Sequence, residues 1–254
     1  MRTFRKHDPK HPDFYFAERA GLEWLRDAGL PVAQVIDCGT DFIELERLDS
    51  VAPSAEAARR FGQQLAKAHG AGAAGFGAAP DGYKGQLFIG TQPMPSGPDA
   101  VHDAWGEFYA LERVLPFLPR ARKLGMVTAA TVAVVERACE LIAAGTFDDD
   151  APPARIHGDL WAGNVMWTSA GGIAIDPAAH GGHRETDLAM LELFGCPYLD
   201  DIVHGYRSVC ELENDWLQRL PLHQLHPLAV HAAGQGAHYG RELERAARAV
   251  LLLA

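Results

Sequence analysis

The chain has 254 residues, 48% hydrophobic and 22% charged, which excludes fibrous and disordered classes and leaves room for one large domain or two small lobes. Its 23 basic and 33 acidic residues give a formal net charge of -10, and this balance argues against nucleic acid or an anionic membrane as the main partner. Four scattered cysteines without a C-x-x-C pair, and no apolar run of membrane-spanning or signal-peptide type, predict a cytoplasmic protein with reduced thiols.

The first 48 residues predict a small lobe that contains strands and one helix. Thr3–Lys6 is a candidate strand, and Asp13 is a candidate cap for a helix that extends to Ala28. Two further strands, Val32–Ile36 and Phe42–Leu48, flank a Gly-Thr-Asp turn. We therefore expect an N-terminal lobe over residues 1–48.

Residues 49–254 predict a larger helical lobe. Apolar residues recur at helical spacing, and the segment between the first two helices is rich in glycine and proline, which predicts a long irregular loop. The predicted helices cover residues 54–70, 103–115, 128–144 and most of 185–254, and the predicted loop covers 70–100.

The residues with the clearest chemical meaning lie between positions 157 and 176. Asp159 and Asn164 are five apart, the spacing of the catalytic Asp and the metal-binding Asn in the kinase H-R-D-x-x-x-x-N template. Asp176 follows an Ile-Ala-Ile run of strand type. An isolated pair of this kind is usually turn chemistry, but the combination favours phosphoryl transfer, which needs a carboxylate for the acceptor hydroxyl and oxygen ligands for Mg2+.

This window also resembles a known family. The run His157-Gly-Asp-Leu-Trp-Ala-Gly-Asn164 is similar to the signature of fructosamine kinases (ketosamine 3-kinases), a branch of the aminoglycoside phosphotransferase and protein-kinase-like superfamily. The segments 175–190, Phe194-Gly195 and 222–228 also resemble the family. The resemblance extends from about Thr3 to the C-terminal helices and implies an α+β, two-lobed protein-kinase-like fold.

The resemblance implies a role for each residue of the window. Asp159 would be the catalytic base, His157 would support the catalytic loop, and Asn164 and Asp176 would be the Mg2+ ligands. Asp187 would be a structural acid that binds this loop, and a helix cap is the alternative.

The resemblance also implies a nucleotide site in the N-terminal lobe, with ATP and Mg2+ as cofactors. Lys6 resembles the strand lysine that contacts the nucleotide phosphates, and Glu18 resembles its partner on the helix. Glu46 and Leu48 would lead into the hinge, whose backbone groups pair with adenine.

Three residues are candidates for contact with the acceptor. Trp161 lies two residues after Asp159, where its ring could flank a sugar, with a packing role as the alternative. His180 and Arg184 follow Asp176 closely, and a turn role is the alternative for His180.

The implied reaction is transfer of the ATP γ-phosphoryl group to the C3 hydroxyl of a ketosamine, the adduct of a sugar and an amine, with deglycation as the role. The substrate would be a small ketosamine or a glycated protein. Because an Asp/Asn/Asp site fits any small alcohol, aminoglycosides and choline-like acceptors remain open. The oligomeric state has no signal in the sequence.

One part of the kinase pattern is missing. Only five residues precede Lys6, so we expect a truncated N-terminal lobe without the glycine-rich loop that covers the phosphates. Either the true start lies upstream or the protein is a shortened member, and a pseudokinase that binds without turnover is a second hypothesis.

The run Gly70-Ala-Gly-Ala-Ala-Gly75 matches G-x-G-x-x-G but follows a predicted helix, so it does not fit a phosphate loop.

Twelve histidines raise the question of a metal site. His180 and His183 are three apart, as are His223 and His226, but the zinc motif H-E-x-x-H is absent from the sequence. A zinc hydrolase is therefore a distant alternative.

Overall fold

The computed structural model describes residues 2–234 and 236–254. Its strands and helices alternate at the start of the chain, and helices dominate the remainder. The strands are β1 (Thr3–His7), β2 (Val35–Gly39), β3 (Phe42–Glu46), β4 (Leu87–Ile89), β5 (Gln92–Met94), β6 (Ala154–Ile156), β7 (Val165–Thr168), β8 (Gly171–Ala174) and β9 (His180–Gly182). The α-helices are α1 (Phe14–Asp27), α2 (Ala55–Gly70), α3 (Trp105–Phe108), α4 (Leu118–Lys123), α5 (Ala129–Ala143), α6 (Glu185–Leu193), α7 (Leu199–Arg207), α8 (Leu220–Ala232) and α9 (Ala237–Leu253).

The small lobe is a three-stranded antiparallel sheet with α1 packed against it. The strand order is β1-β3-β2, and Lys6 pairs with Ile43 across the sheet. The predicted helix and the strand at Thr3 are confirmed. Asp13 occupies the predicted cap position of α1, but its φ of 67° is left-handed and its side chain makes no capping hydrogen bond. Its backbone amide instead donates to Thr40 O (2.8 Å), which fixes the entry into the helix.

The strand predicted at Val32–Ile36 lies three residues later, at β2. Val32 forms a parallel bridge with Ala174 of β8, and Ala33 N donates to Ala174 O (3.1 Å). The first half of the predicted strand thus pairs with β8 of the large lobe, and the chain joins the small-lobe sheet only from Val35 onward. This contact ties the small lobe to the segment that leads to Asp176.

Two regions of the large lobe differ from the sequence prediction. Residues 70–100, predicted as an irregular loop, contain the hairpin of β4 and β5. The predicted helix 103–115 is α-helical only at α3 and continues as a π-helix over Tyr109–Val114. A 3-10 turn at Leu115–Phe117 then precedes α4, in a stretch where Pro116 lacks the amide proton that a regular helix needs.

The remaining helix predictions agree with the structure. Ser54 caps α2, its hydroxyl accepting from Ala57 N at 3.2 Å, and Thr128 caps α5 in the same way. One hydrophobic core joins the helices of the large lobe, while a second packs Leu25 and Ile43 of the small lobe against Phe61 of α2. The second core crosses the predicted boundary after Leu48, so the small lobe is anchored on α2. Within the described residues, no helix has the length and apolar character needed to cross a membrane.

The large-lobe core encloses histidines that burial keeps neutral, and this predicts acid sensitivity. Burial lowers the pKa of His226 from 6.5 to about 3, while its Nδ1 pairs with Arg113 O at 2.6 Å. Because the unfolded chain takes up a proton that the folded chain excludes, the free energy of unfolding falls as the pH drops below about 6.5, by about 1.4 kcal/mol per unit for this residue.

The variant His226→Asn should weaken this dependence, since an amide N–H can replace Nδ1–H but does not titrate. Urea unfolding between pH 8 and pH 5 measures it, with the exposed His204→Asn as the matched control. An unchanged pH slope in His226→Asn would show that His226 does not set the acid limit.

Candidate active site

The loop that carries Asp159, the expected catalytic loop, begins where β6 ends and contains a glycine with a left-handed backbone. Gly158 has a φ of +79°, and a Cβ added there would lie 2.3 Å from Ala178 O. The loop therefore packs backbone against backbone at this residue, and a side chain is excluded. The requirement for glycine in the His-Gly-Asp run is thus steric.

Asp187 accepts two hydrogen bonds from the backbone of the same loop. Its side chain is fully buried on α6, Oδ2 accepts from His157 N (2.7 Å) and Oδ1 accepts from Gly158 N (2.9 Å). His69 Nε2 lies 3.1 Å from Oδ2. Burial alone would raise the pKa of Asp187, but the hydrogen bond and charge of His69 and the loop amide outweigh it and lower the pKa. Asp187 therefore binds two backbone amides of the loop, and Arg184, not Asp187, is the N-cap residue of α6.

His157 joins the loop to the strand that precedes Asp176. Its buried imidazole places Nε2 at 2.9 Å from Ile175 O, and Nδ1 accepts from Asp159 N at 3.2 Å. Burial lowers the pKa of His157, so the ring is neutral with its proton on Nε2. His157 thus links the backbone of Asp159 to that of Ile175.

Asp159 and Asn164 face each other across the loop. Asn164 Nδ2 donates to Asp159 O (2.8 Å) and to Asp159 Oδ2 (3.1 Å). Both contacts use protons of the side-chain amide. The side-chain oxygen of Asn164, Oδ1, is therefore left as a ligand for a cation. Burial raises the pKa of Asp159 to about 7, although the Asn164 bond opposes the change. A carboxyl group in this range can take and release a proton near neutral pH.

Asp176 contacts Lys6 of the small lobe, which also contacts Glu18. The Lys6 ammonium donates to Glu18 Oε1 at 2.7 Å and to Asp176 Oδ1. Burial would lower the pKa of Lys6, but the two carboxylates outweigh it and raise the pKa. Asp176 has a left-handed φ of 55°, a conformation that few non-glycine residues adopt and that is enriched at functional sites. Three predicted residues from distant parts of the chain, Lys6, Glu18 and Asp176, thus converge, and Lys6 and Asp176 form a contact between the lobes.

These residues lie where two cavities meet. The larger cavity, of about 640 Å3, is lined by Lys6, Asp159 and Asp176, and also by the tip of the β4–β5 hairpin. The second cavity, of about 470 Å3, shares Lys6 and Asp176 with the first. It is otherwise mainly apolar, and its lining includes Phe4, Ala33, Leu45, Glu46, Leu48, Met166 and Ile175.

The predicted hinge residues therefore border the second cavity. Glu46 is fixed by the backbone, since its Oε1 accepts from Gln34 N at 3.0 Å and its amide donates to Gln34 O at 2.9 Å. Met166 and Ile175 of the large lobe close the opposite wall. Sequence reasoning did not select these two, because an apolar residue on a short strand has the same pattern whether it lines a core or a cavity.

Trp161 lines the larger cavity and begins an aromatic wall. Its side chain is 41% exposed and its ring lies 6.2 Å from that of Phe194. The His231 ring is tilted against Phe194, with ring centres 4.9 Å apart, and against Tyr239, with ring centres 4.8 Å apart. All four line the cavity. Trp161 therefore has part of its ring accessible at the cavity wall.

The other two candidate acceptor residues lie outside both cavities. His180 is 2% exposed, its Nδ1 pairs with Ala178 O (2.8 Å) and its Nε2 accepts from Arg113 Nε (3.2 Å). Arg184 points toward Cys210, with Nη1 to Sγ at 3.0 Å. Their proximity to Asp176 in sequence does not bring them to the cleft, because β9 places His180 in the interior and Arg184, which is half-buried, turns toward Cys210. The expectation that they contact the acceptor is corrected accordingly.

The histidine pairs do not form the zinc site considered above. His183, Glu185 and His223 are close enough to share an ion, but Glu185 receives Arg219 Nε (3.0 Å) and Nη2 (2.6 Å). The rings of His183 and His223 stack at 4.8 Å and 23°, so their in-plane lone pairs do not converge on one point. The cluster is a buried charge network. The Gly70–Gly75 run begins at the last residue of α2, and none of its residues lines either cavity.

Comparison with known sequences gives one consistent family. The sequence profile of the fructosamine kinase family matches residues 2–252. A probable ketoamine kinase from Vibrio vulnificus is 32% identical over 192 residues, which cover 75% of this chain and 61% of that protein. The chain thus spans less than two thirds of that relative. A probable ketoamine kinase from Synechocystis is 30% identical over 90% of this chain and 76% of its own length.

Solved structures agree with the sequence comparison. A candidate fructosamine-3-kinase from Thermobifida fusca is 44% identical and superposes with a TM-score of 0.88 over 98% of this chain and 85% of its own. The gentamicin complex of APH(2")-IIa, at 12% identity and a TM-score of 0.55 over 98% of this chain and 84% of its own, shows the shared fold alone. The expected α+β protein-kinase-like architecture is confirmed, and the chain belongs to the fructosamine kinase family.

Proposed function

We propose that this protein is an ATP-dependent, Mg2+-dependent kinase that phosphorylates a sugar hydroxyl of ketosamines. The observation that carries the proposal is the convergence of Lys6, Asp159, Asn164 and Asp176 at the junction of two cavities. Each supplies a part that phosphoryl transfer requires, and family membership supports an alcohol group as the acceptor.

The donor set fits a hard cation. Asp176 offers a carboxylate that is 43% exposed, and Asn164 offers a carbonyl oxygen, and Mg2+ prefers such oxygen ligands. When bound there, Mg2+ would neutralise charge on the phosphates. Lys6 would then exchange its contact with Asp176 for a phosphate oxygen while Glu18 keeps its side chain oriented.

The nucleotide and the acceptor would occupy different cavities. The apolar cavity beside Glu46 and Leu48 suits a flat base held between the lobes. Lys6 lines both cavities, so the phosphates of a nucleotide bound there would point toward Lys6. The larger cavity holds Asp159, which would orient the acceptor hydroxyl and take its proton. Trp161 would flank the sugar ring on the same side.

Mg2+-dependent release of ADP from ATP tests the proposal, with fructosamines and ribulosamines as acceptors and an aminoglycoside as the contrast. We expect turnover on ketosamines and phosphate on the C3 hydroxyl of the product, located by 31P NMR. Turnover on the aminoglycoside alone would assign another acceptor class. Mg·ATP binding without turnover on any acceptor would instead favour a binding protein.

A further inference from the structure

The acceptor cavity contains a cation that the proposed chemistry does not use. Arg120 lies on α4, which belongs to neither the catalytic loop nor the small lobe, and its side chain lines the larger cavity. Arg120 Nε donates to Ala233 O at 2.8 Å, at the C-cap of α8. This bond fixes the plane of the guanidinium and leaves both of its terminal nitrogens available to a ligand.

No acid neutralises this guanidinium within residues 2–234 and 236–254. The described ion pairs place no carboxylate within 4 Å of Arg120, whereas Lys6 in the same cavity is held by Glu18 and Asp176. A fixed, exposed guanidinium presents paired donors that match a carboxylate. The free cation in this cavity is therefore suited to an anionic group.

A chain of contacts connects Arg120 with the predicted base. Trp161 follows Asp159 by two residues, its ring contacts Phe194, and Phe194 contacts His231. His231 lies two residues before Ala233, the partner of Arg120. An acceptor with its sugar hydroxyl at Asp159 and its body along this aromatic wall would thus present its far end to Arg120.

The wall itself suits the amine of a ketosamine. His231 Nδ1 lies 2.7 Å from Pro227 O and donates to it, which leaves Nε2 as an acceptor, and burial lowers the pKa of the ring so that it stays neutral. The faces of Trp161, Phe194 and Tyr239 attract a cation. A secondary ammonium therefore finds an electron-rich surface between the sugar and Arg120.

We propose that the acceptor carries a carboxylate on its amine side and that Arg120 binds it, so that the substrates are ketosamines of free amino acids. The proposal rests on the proposed ketosamine kinase function. The end of the cavity near Asp159 is acidic, with Glu18 and Asp176, and the chain has a net charge of -10, so the carboxylate of a zwitterionic acceptor needs a cation beside it. Arg120 provides that cation.

The test compares two acceptors of nearly equal size, one with a carboxylate and one with a neutral amide in its place: the fructose adduct of glycine and that of glycinamide. With the wild-type chain we expect kcat/KM for the glycine adduct to exceed that for the glycinamide adduct by about tenfold or more, mainly through KM. In Arg120→Gln the ratio should fall close to one, and Arg120→Lys should keep part of it. Arg122→Gln, an exposed arginine on the same helix outside the cavity, should keep the wild-type ratio.

The outcomes separate the two proposals. Turnover of both adducts at equal kcat/KM, or a preference that persists in Arg120→Gln, would overturn the role of Arg120 while the ketosamine kinase function stands. Absence of turnover on both adducts, and on ketosamines of neutral amines, would overturn the proposed function and this inference with it.

Discussion

Replacing Asp159 by asparagine should abolish turnover and leave Mg·ATP binding nearly unchanged. The substitution is isosteric, and the new side-chain oxygen can still accept the proton of Asn164 that Asp159 Oδ2 accepts at 3.1 Å. An amide cannot take the proton of the acceptor hydroxyl, and it does not carry the charge that orients this hydroxyl. We expect kcat to fall by about 100-fold or more, the lower range for loss of a positioned general base.

Two measurements separate this role from a general loss of structure. Nucleotide affinity by calorimetry in the presence of Mg2+ should change little, because the substitution spares Lys6, Asn164 and Asp176. The variant Asp150→Asn, which alters an exposed acid outside the cavity, should retain wild-type kcat. Full activity of Asp159→Asn would show that another group accepts the proton.

The parts of the site that are close in sequence could be predicted, and the distant parts could not. The spacing of Asp159, Asn164 and Asp176 is informative because a short loop and a hairpin fix their separation. Lys6 contacts Asp176 from 170 positions away, and only the family resemblance suggested it. Arg120 has no local signal, since its exposure in the cavity depends on how α4 packs against the end of α8.

Secondary structure shows the same limit. The helices α1, α2 and α5 have strong apolar periodicity, and the sequence predicts each within a residue or two. The β4–β5 hairpin has three-residue strands, too short for a periodic signal among glycines and prolines. The π-helix at Tyr109–Val114 carries Arg113, whose guanidinium is buried and contacts His180 and Pro95 O. These contacts are tertiary, so local propensity does not reveal them.

The two misplaced acceptor candidates have a common cause. His180 and Arg184 follow Asp176 within eight residues, and sequence proximity made them candidates. The chain instead enters β9, which pairs with β6 below the catalytic loop, and then α6. This path brings Asp187 under the loop. The segment that places His180 outside the cleft therefore also positions Asp187, whose carboxylate binds the loop.

Replacing Asp187 should destabilise the protein more than any surface acid. Its two oxygens accept from His157 N, Gly158 N and His69, so the amide of Asp187→Asn must place N–H against at least one donor. Breaking such a buried, charged network costs about 3 to 5 kcal/mol. We expect a loss of this size in urea unfolding, with a large drop in kcat because the loop that carries Asp159 loses one of its two hydrogen bonds to this side chain.

The matched comparison is Asp201→Asn, since Asp201 also accepts from a basic group, Arg59 Nε at 2.8 Å, but in a partly exposed pair. That variant should lose at most about 1 kcal/mol. Asp187→Glu keeps the charge and lengthens the side chain, so it should recover part of the kcat lost in Asp187→Asn if the carboxylate positions the loop. Equal stability losses in Asp187→Asn and Asp201→Asn would show that the amide contacts of Asp187 carry little energy, and the loop would then have to be held by the close approach of Gly158 to Ala178 and by His157 alone.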